Sequence, residues 1–147
     1  MDVTNLCDAR EFADTIGDRV WRAWWRDDGI PLSVFQAQIA QMGDTGDIPL
    51  AFAAHEGAQY LGSVLLIEND LAARPQYRPW IAALWVEPKF RCRGIAGELI
   101  RAAGSEARRL GFPKCYLCAT EANSPYYEAR GYQMIERSVA GLNVFTI

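Results

Sequence analysis

A chain of 147 residues, half of them hydrophobic and 22% charged, suits one domain, expected to span 1–147, with a buried core; it excludes wholesale disorder. Fifteen Lys+Arg against eighteen Asp+Glu leave a formal net charge of -3, which argues against a protein held on nucleic acid by bulk charge. No apolar run approaches the ~20 residues that cross a bilayer, and the N-terminus lacks the basic start and apolar stretch of a signal peptide. A cytoplasmic chain bound to neither membrane nor nucleic acid is therefore expected.

From Glu11 to Arg26 the apolar residues Phe12, Ile16, Val20, Ala23 and Trp24 recur at three-to-four spacing and predict an amphipathic helix, with Trp21 and Trp25 as a second stripe. Asp27-Asp28-Gly29 ends it and Pro31 starts another, whose apolar face is Leu32, Phe35, Ile39 and Met42. Residues 48–55 and 59–69, joined across Glu56-Gly57-Ala58, predict a β-hairpin with His55 solvated at its end. After a loop with Arg74-Pro75 and Arg78-Pro79, the nearly all-apolar run Trp80–Val86 predicts a strand buried on both faces. A helix follows over Gly94–Leu110, stopped by Gly111 and Pro113; then a strand over 115–120, a short helix over Ser124–Arg130, and a closing hairpin about Ala140-Gly141-Leu142. The order ααββ-β-α-β-α-ββ defines an α/β fold with a mixed, mostly antiparallel sheet flanked by about four helices.

Cys115 and Cys118 form a C-x-x-C, but there is no second pair and only one histidine. Three residues apart on a strand, the two thiols point to opposite faces. Free cysteines acting as small hydrophobes are expected, and no metal.

The chemistry concentrates between Leu84 and Gly97. A strand ends, a loop brings Lys89, Arg91 and Arg93, and a helix opens with Gly94-Ile95-Ala96-Gly97. The free N–H groups and dipole of a helix's first turn favour anions, and small residues let a phosphate approach the backbone. The motif is neither a Walker A loop nor a dinucleotide fingerprint.

Arg91-Cys92-Arg93-Gly94-Ile95-Ala96 resembles the [QR]-x-x-G-x-[GA] signature of the GNAT superfamily of acetyl-CoA-dependent N-acetyltransferases, and Val86-Glu87-Pro88 precedes it as a V-x-P. Downstream, Tyr127-Glu128-Ala129-Arg130-Gly131-Tyr132 is similar to that family's Y-E-[RK]-x-G-[FY] segment. The element order agrees, so the resemblance covers essentially the whole chain. It implies that Leu84, Trp85 and Val86 pair with the pantetheine arm of acetyl-CoA through their backbone groups. It implies that Arg91, Cys92, Arg93, Gly94, Ile95, Ala96 and Gly97 cradle the pyrophosphate, and that Tyr127 is the general acid protonating the departing thiolate. The family often places an Asn that contacts CoA about seven residues before that Tyr; here Asn123, four before it, is the cofactor-binding candidate. A carboxylate often found on the strand before the loop is missing from Ile81–Leu84, which leaves Glu87, Glu121 or ordered water to deprotonate the amine.

The resemblance makes the first two helices and nearby loops the acceptor pocket, with Trp21, Trp25, Phe35 and Trp80 as candidate walls and core packing as the alternative for each. Homodimers, common in the family, are a further expectation. The charge is unevenly divided: residues 1–70 carry a balance of -8 and residues 71–147 one of +5. A basic half holding the cradle and an acidic half meeting the acceptor imply a cationic primary amine, such as a polyamine or basic peptide. The alternative to acetyl transfer is a CoA-binding module without catalysis.

Overall fold

The computed structural model describes all 147 residues, Met1–Ile147. One seven-stranded sheet carries the fold. Its strands are β1 (Asp2–Asn5), β2 (Leu50–Glu56), β3 (Gln59–Ile67), β4 (Trp80–Val86), β5 (Tyr116–Ala119), β6 (Gln133–Val139) and β7 (Leu142–Thr146), in the spatial order β1-β2-β3-β4-β5-β7-β6. Every neighbouring pair is antiparallel except β4 and β5, which are parallel.

The helices α1 (Ala13–Val20) and α2 (Leu32–Gln41) pack on one face, α3 (Ile95–Arg109) on the other, and α4 (Ser124–Ala129) follows β5. The alternation of β2 sorts its residues between the two layers. Ala51 and Ala53 meet Ile16, Val20, Phe35 and Ile39, while Leu50, Phe52 and Ala54 meet Ile95, Leu99, Ile100 and Ala103. No helix is long and apolar enough to cross a membrane.

The expected order holds with one strand added in front. β1 is too short to announce itself by alternation, yet it pairs with β2 from Asp2↔His55 to Asn5↔Phe52. Its presence corrects the expectation for His55. The imidazole is half-buried against Phe12, with Nδ1 2.9 Å from the Gly57 carbonyl oxygen and Nε2 2.8 Å from Thr4 Oγ1. The first predicted helix also divides: beyond α1 the chain widens into a π-helical turn over Trp21–Trp25 and closes at Gly29 in the left-handed region. Such turns re-aim side chains that a regular helix would place in register; here they leave Trp24 and Trp25 half exposed.

The four cysteines are free. Cys115 is buried among the residues beneath α3, whereas Cys118 packs on the other side with Leu71 and Trp80, as odd spacing on a strand requires.

Candidate active site

β4 is buried only in its first half, which corrects the expectation that both faces are covered throughout. Trp80, Ile81 and Ala82 are enclosed, and Ala83 to Val86 are half open. The cause is a β-bulge. Ser63 pairs with Trp85 and Leu65 with Ala82, so Val64 alone faces both Ala83 and Leu84. Ala83 takes φ 51°, a left-handed conformation that costs a non-glycine residue on the order of 1 kcal/mol. Just beyond, a Cβ on Gly62 would stand 2.6 Å from the Trp85 carbonyl oxygen, so glycine is what lets β3 follow β4 through the bend.

The bulge turns β4 away from β5. The two strands share one register pair, Trp80↔Tyr116, and then part. The opening between them holds two cavities. The first, about 660 Å³, runs from Leu84, Trp85 and Val86 past Phe90, Arg91 and Cys92 to Gly94, Ile95 and Ala96, with Asn123, Tyr126, Tyr127 and Arg130 opposite. The second, about 500 Å³, lies between the strands and the Trp24-Trp25 turn and includes Asp70 and Cys118. Leu84, Asn123 and Tyr127 belong to both walls.

The first cavity suits an extended polyphosphorylated ligand. Its charged wall residues are Arg91 and Arg130, with no carboxylate among them. Gly94, at φ 80°, turns the chain into α3, and no side chain caps the first-turn N–H groups of that helix. Arg91 Nε donates to the Val86 carbonyl at 2.8 Å and lays its guanidinium 4.8 Å from the Trp85 ring centre. Arg93 stands over Phe90, and it and Gly97 flank the wall rather than line it.

Tyr127 projects from α4 to the junction of the cavities. Its ring packs against Tyr126, Tyr132 and Phe145 while also lining the cleft. No protein group hydrogen-bonds its hydroxyl, which is open to the cleft. Burial, reinforced by Tyr126, pushes its pKa up to about 12, so it stays a neutral donor through the physiological range. Asn123, despite its shorter spacing, reaches the same junction with its side-chain amide unpaired.

The two carboxylates expected near the chemistry lie elsewhere. Glu87 turns beneath β4, where Oε1 accepts from Arg19 Nε at 2.7 Å and Oε2 from Trp85 Nε1 at 3.4 Å; it lines neither cavity. Glu121 is held by Asn143 Nδ2 at 2.8 Å and by Arg137, and these partners lower its pKa, the opposite of what a base requires. Of the four aromatic walls expected, Trp25 lines the second cavity. Phe35 is buried behind it, with ring centres 6.2 Å apart. Trp21 donates to the Ile30 carbonyl at 2.7 Å, outside the cavity wall. Trp80 is fully enclosed with Leu71, Val139 and Val144 and is a core residue.

Sequence reasoning missed Phe90, Tyr126 and Arg130 in the first cavity and Trp24, Asp70 and Cys118 in the second. Arg130 sits inside the Tyr127–Tyr132 segment, and its position one helical turn past Tyr126 was the available signal.

A split sheet with a cationic cleft at a helix N-terminus suits a transferase that binds an acyl-CoA. The sequence model of the acetyltransferase (GNAT) family matches residues 14–132, and the chain belongs to that family. It is an acetyltransferase of that acetyl-CoA-dependent family. No curated protein matches the sequence. Among solved structures, an aminoglycoside 6'-N-acetyltransferase complexed with coenzyme A aligns at TM-score 0.74 and 15% identity, covering 100% of this chain and 96% of that one. Aminoglycoside N-acetyltransferase AAC(6')-Iy in complex with CoA aligns at 0.73 and 19%, covering 92% and 90%. A GCN5-related N-acetyltransferase from Ralstonia eutropha JMP134 aligns at 0.64 and 21%, covering 95% and 99%. At these identities the likeness is one of fold.

Cys92 gives a direct probe of the first cavity. It is exposed in the wall, whereas burial pushes the Cys115 thiol up to about 11 and the Cys118 thiol up to about 12. N-ethylmaleimide, followed by peptide mass spectrometry, should label Cys92 well before Cys115 and Cys118. Acetyl-CoA at about ten times its Kd should slow that labelling about tenfold, in proportion to the fraction of empty sites.

Proposed function

We propose that the protein moves the acetyl group of acetyl-CoA to a primary amine by direct attack, with Tyr127 as the general acid. The observation that carries this is the meeting of two chemically different cavities at one phenol: a cationic cleft on one side, an apolar chamber with a carboxylate on the other. The β4 edge beyond Trp80 has no strand partner and is suited to pairing with an extended pantetheine arm. Arg91, Arg130 and the first turn of α3 supply positive potential for the phosphates. Tyr127, kept neutral, donates to the thiolate that develops as the amine displaces it.

The test is release of free thiol from acetyl-CoA across primary amines and peptides. Amine-dependent release is the expected result. Tight acetyl-CoA binding with no release across the whole range would instead identify a CoA-binding module.

A further inference from the structure

The second cavity contains one carboxylate, and that residue has no assigned role. We propose that Asp70 binds the acceptor's ammonium group, and that the acceptor is a monoamine carrying an apolar, arylalkyl body. This deepens the acetyl-transfer assignment and rests on it.

Asp70 is the sole acidic residue in the wall. The adjacent Glu68 is paired with Arg78, whereas Asp70 has no cationic partner, and its hydrogen bond comes from the Cys118 thiol at 3.4 Å. Cys118 and Tyr127 line the same chamber as Asp70, so the carboxylate and the phenol face one space. Asp70 is exposed where the chamber opens, and the protein on its inner side desolvates the carboxylate enough to raise its pKa.

The loop that carries Asp70 is built, not loose. Leu71 is buried and its N–H is held by Asn69 Oδ1 at 2.9 Å. Arg74 grips Glu136 with two hydrogen bonds of 2.7 and 2.8 Å, and the Tyr77 hydroxyl donates to the same carboxylate at 2.6 Å. Three points of attachment thus fix the position of a carboxylate that meets no cation in the protein.

The rest of the chamber argues against a polycation. Its walls are mainly aliphatic and aromatic, and Trp24 and Trp25 present half-exposed indoles. Trp25 is backed by Phe35 and Trp24 stands edge-on to Trp85, which holds both rings in place. A second ammonium would meet those rings without a carboxylate, and an indole face at an exposed site returns only about 0.5–1 kcal/mol to a cation. The acidic balance of residues 1–70, which pointed to polyamines and basic peptides, is not gathered at the site: Asp70 is the one acid of that half in the chamber wall, while Asp18 is held by Arg19 and Arg22 and Glu68 by Arg78.

In the transfer, Asp70 takes a proton from the ammonium. The freed nitrogen lone pair forms the C–N bond as the C–S bond breaks, the acylated nitrogen loses its second proton to solvent, the thiolate receives the Tyr127 proton, and solvent reprotonates Tyr127 and deprotonates Asp70. One proton is released per amide formed.

Thiol release from acetyl-CoA with 2-phenylethylamine and tryptamine should exceed that with spermidine or kanamycin by about tenfold or more in kcat/KM. Asp70→Asn should lower kcat/KM on the arylalkyl amines about 100-fold, with acetyl-CoA Kd and far-UV circular dichroism unchanged. Trp24→Ala, at a half-exposed position, should raise KM about tenfold without lowering thermal stability. Quenching of tryptophan fluorescence by 2-phenylethylamine in the presence of CoA, lost in Asp70→Asn, reports binding without turnover. A wild-type preference for spermidine or kanamycin, or Asp70→Asn activity within threefold of wild type, overturns the proposal and leaves acetyl transfer standing. Failure of wild type with every amine, despite acetyl-CoA binding, overturns both.

Discussion

Tyr127→Phe is expected to lower kcat by about 10²–10⁴-fold while acetyl-CoA affinity changes less than threefold, because the variant keeps the ring and removes only the proton donor. The ring packs against Tyr126, Tyr132 and Phe145, and a phenylalanine preserves those contacts. The hydroxyl has no protein partner, so its removal leaves nothing unsatisfied behind. Pre-steady-state thiol release should fall with steady-state kcat, which separates a chemical defect from slow product release. The pH profile sharpens the test. With its pKa pushed up to about 12, Tyr127 remains protonated throughout an assay between pH 6 and pH 10, and a group whose acid form is active loses function only as pH rises through its pKa. Wild type should therefore show no alkaline limb from this residue in that range. Unchanged kcat in the variant would remove Tyr127 from the mechanism.

The second large effect concerns stability. Trp80→Ala is expected to cost about 3–5 kcal/mol in urea unfolding, the range for emptying a large buried aromatic site. Trp80 is fully buried, donates its indole N–H to the Tyr77 carbonyl at 2.6 Å, and packs near Tyr77 and Tyr116. Against a total of about 5–15 kcal/mol for a typical domain, the loss is severe. Trp80→Phe retains most of the volume and should cost less, with KM for the amine unchanged. A rise in KM without loss of stability would return Trp80 to the acceptor wall.

The difference between Trp80 and Trp25 shows what a sequence can and cannot carry. Both are aromatic residues near predicted element ends, and nothing local distinguishes a core tryptophan from one lining a chamber. That distinction is made by the π-helical turn over Trp21–Trp25 and by the Tyr77–Tyr116 stack, both products of tertiary packing. The α3 entry was legible because its chemistry is local: glycine, arginine and small residues lie consecutively. The hairpins and α3 were legible because their periodicity is long enough to register. β1 was not, since four residues supply no period and its pairing partner is some fifty residues away. The β4 bulge was hidden because Ala83, not glycine, adopts the left-handed conformation there. Asp70 was hidden because its value lies in being unpaired, which depends on where Arg78, Arg74 and Glu136 go.

The single register pair between β4 and β5 has a mechanical consequence. Strands β1 to β4 and strands β5 to β7 are two plates of one sheet riveted at Trp80 and Tyr116. A ligand laid along the free edge of β4 acts as a second rivet: it supplies the backbone partners that β5 withholds. At about 100 times its Kd such a ligand contributes roughly 2.7 kcal/mol to the stability of the folded chain. With acetyl-CoA placed along that edge, as proposed, the cosubstrate would be a reagent and also a temporary structural member of the sheet.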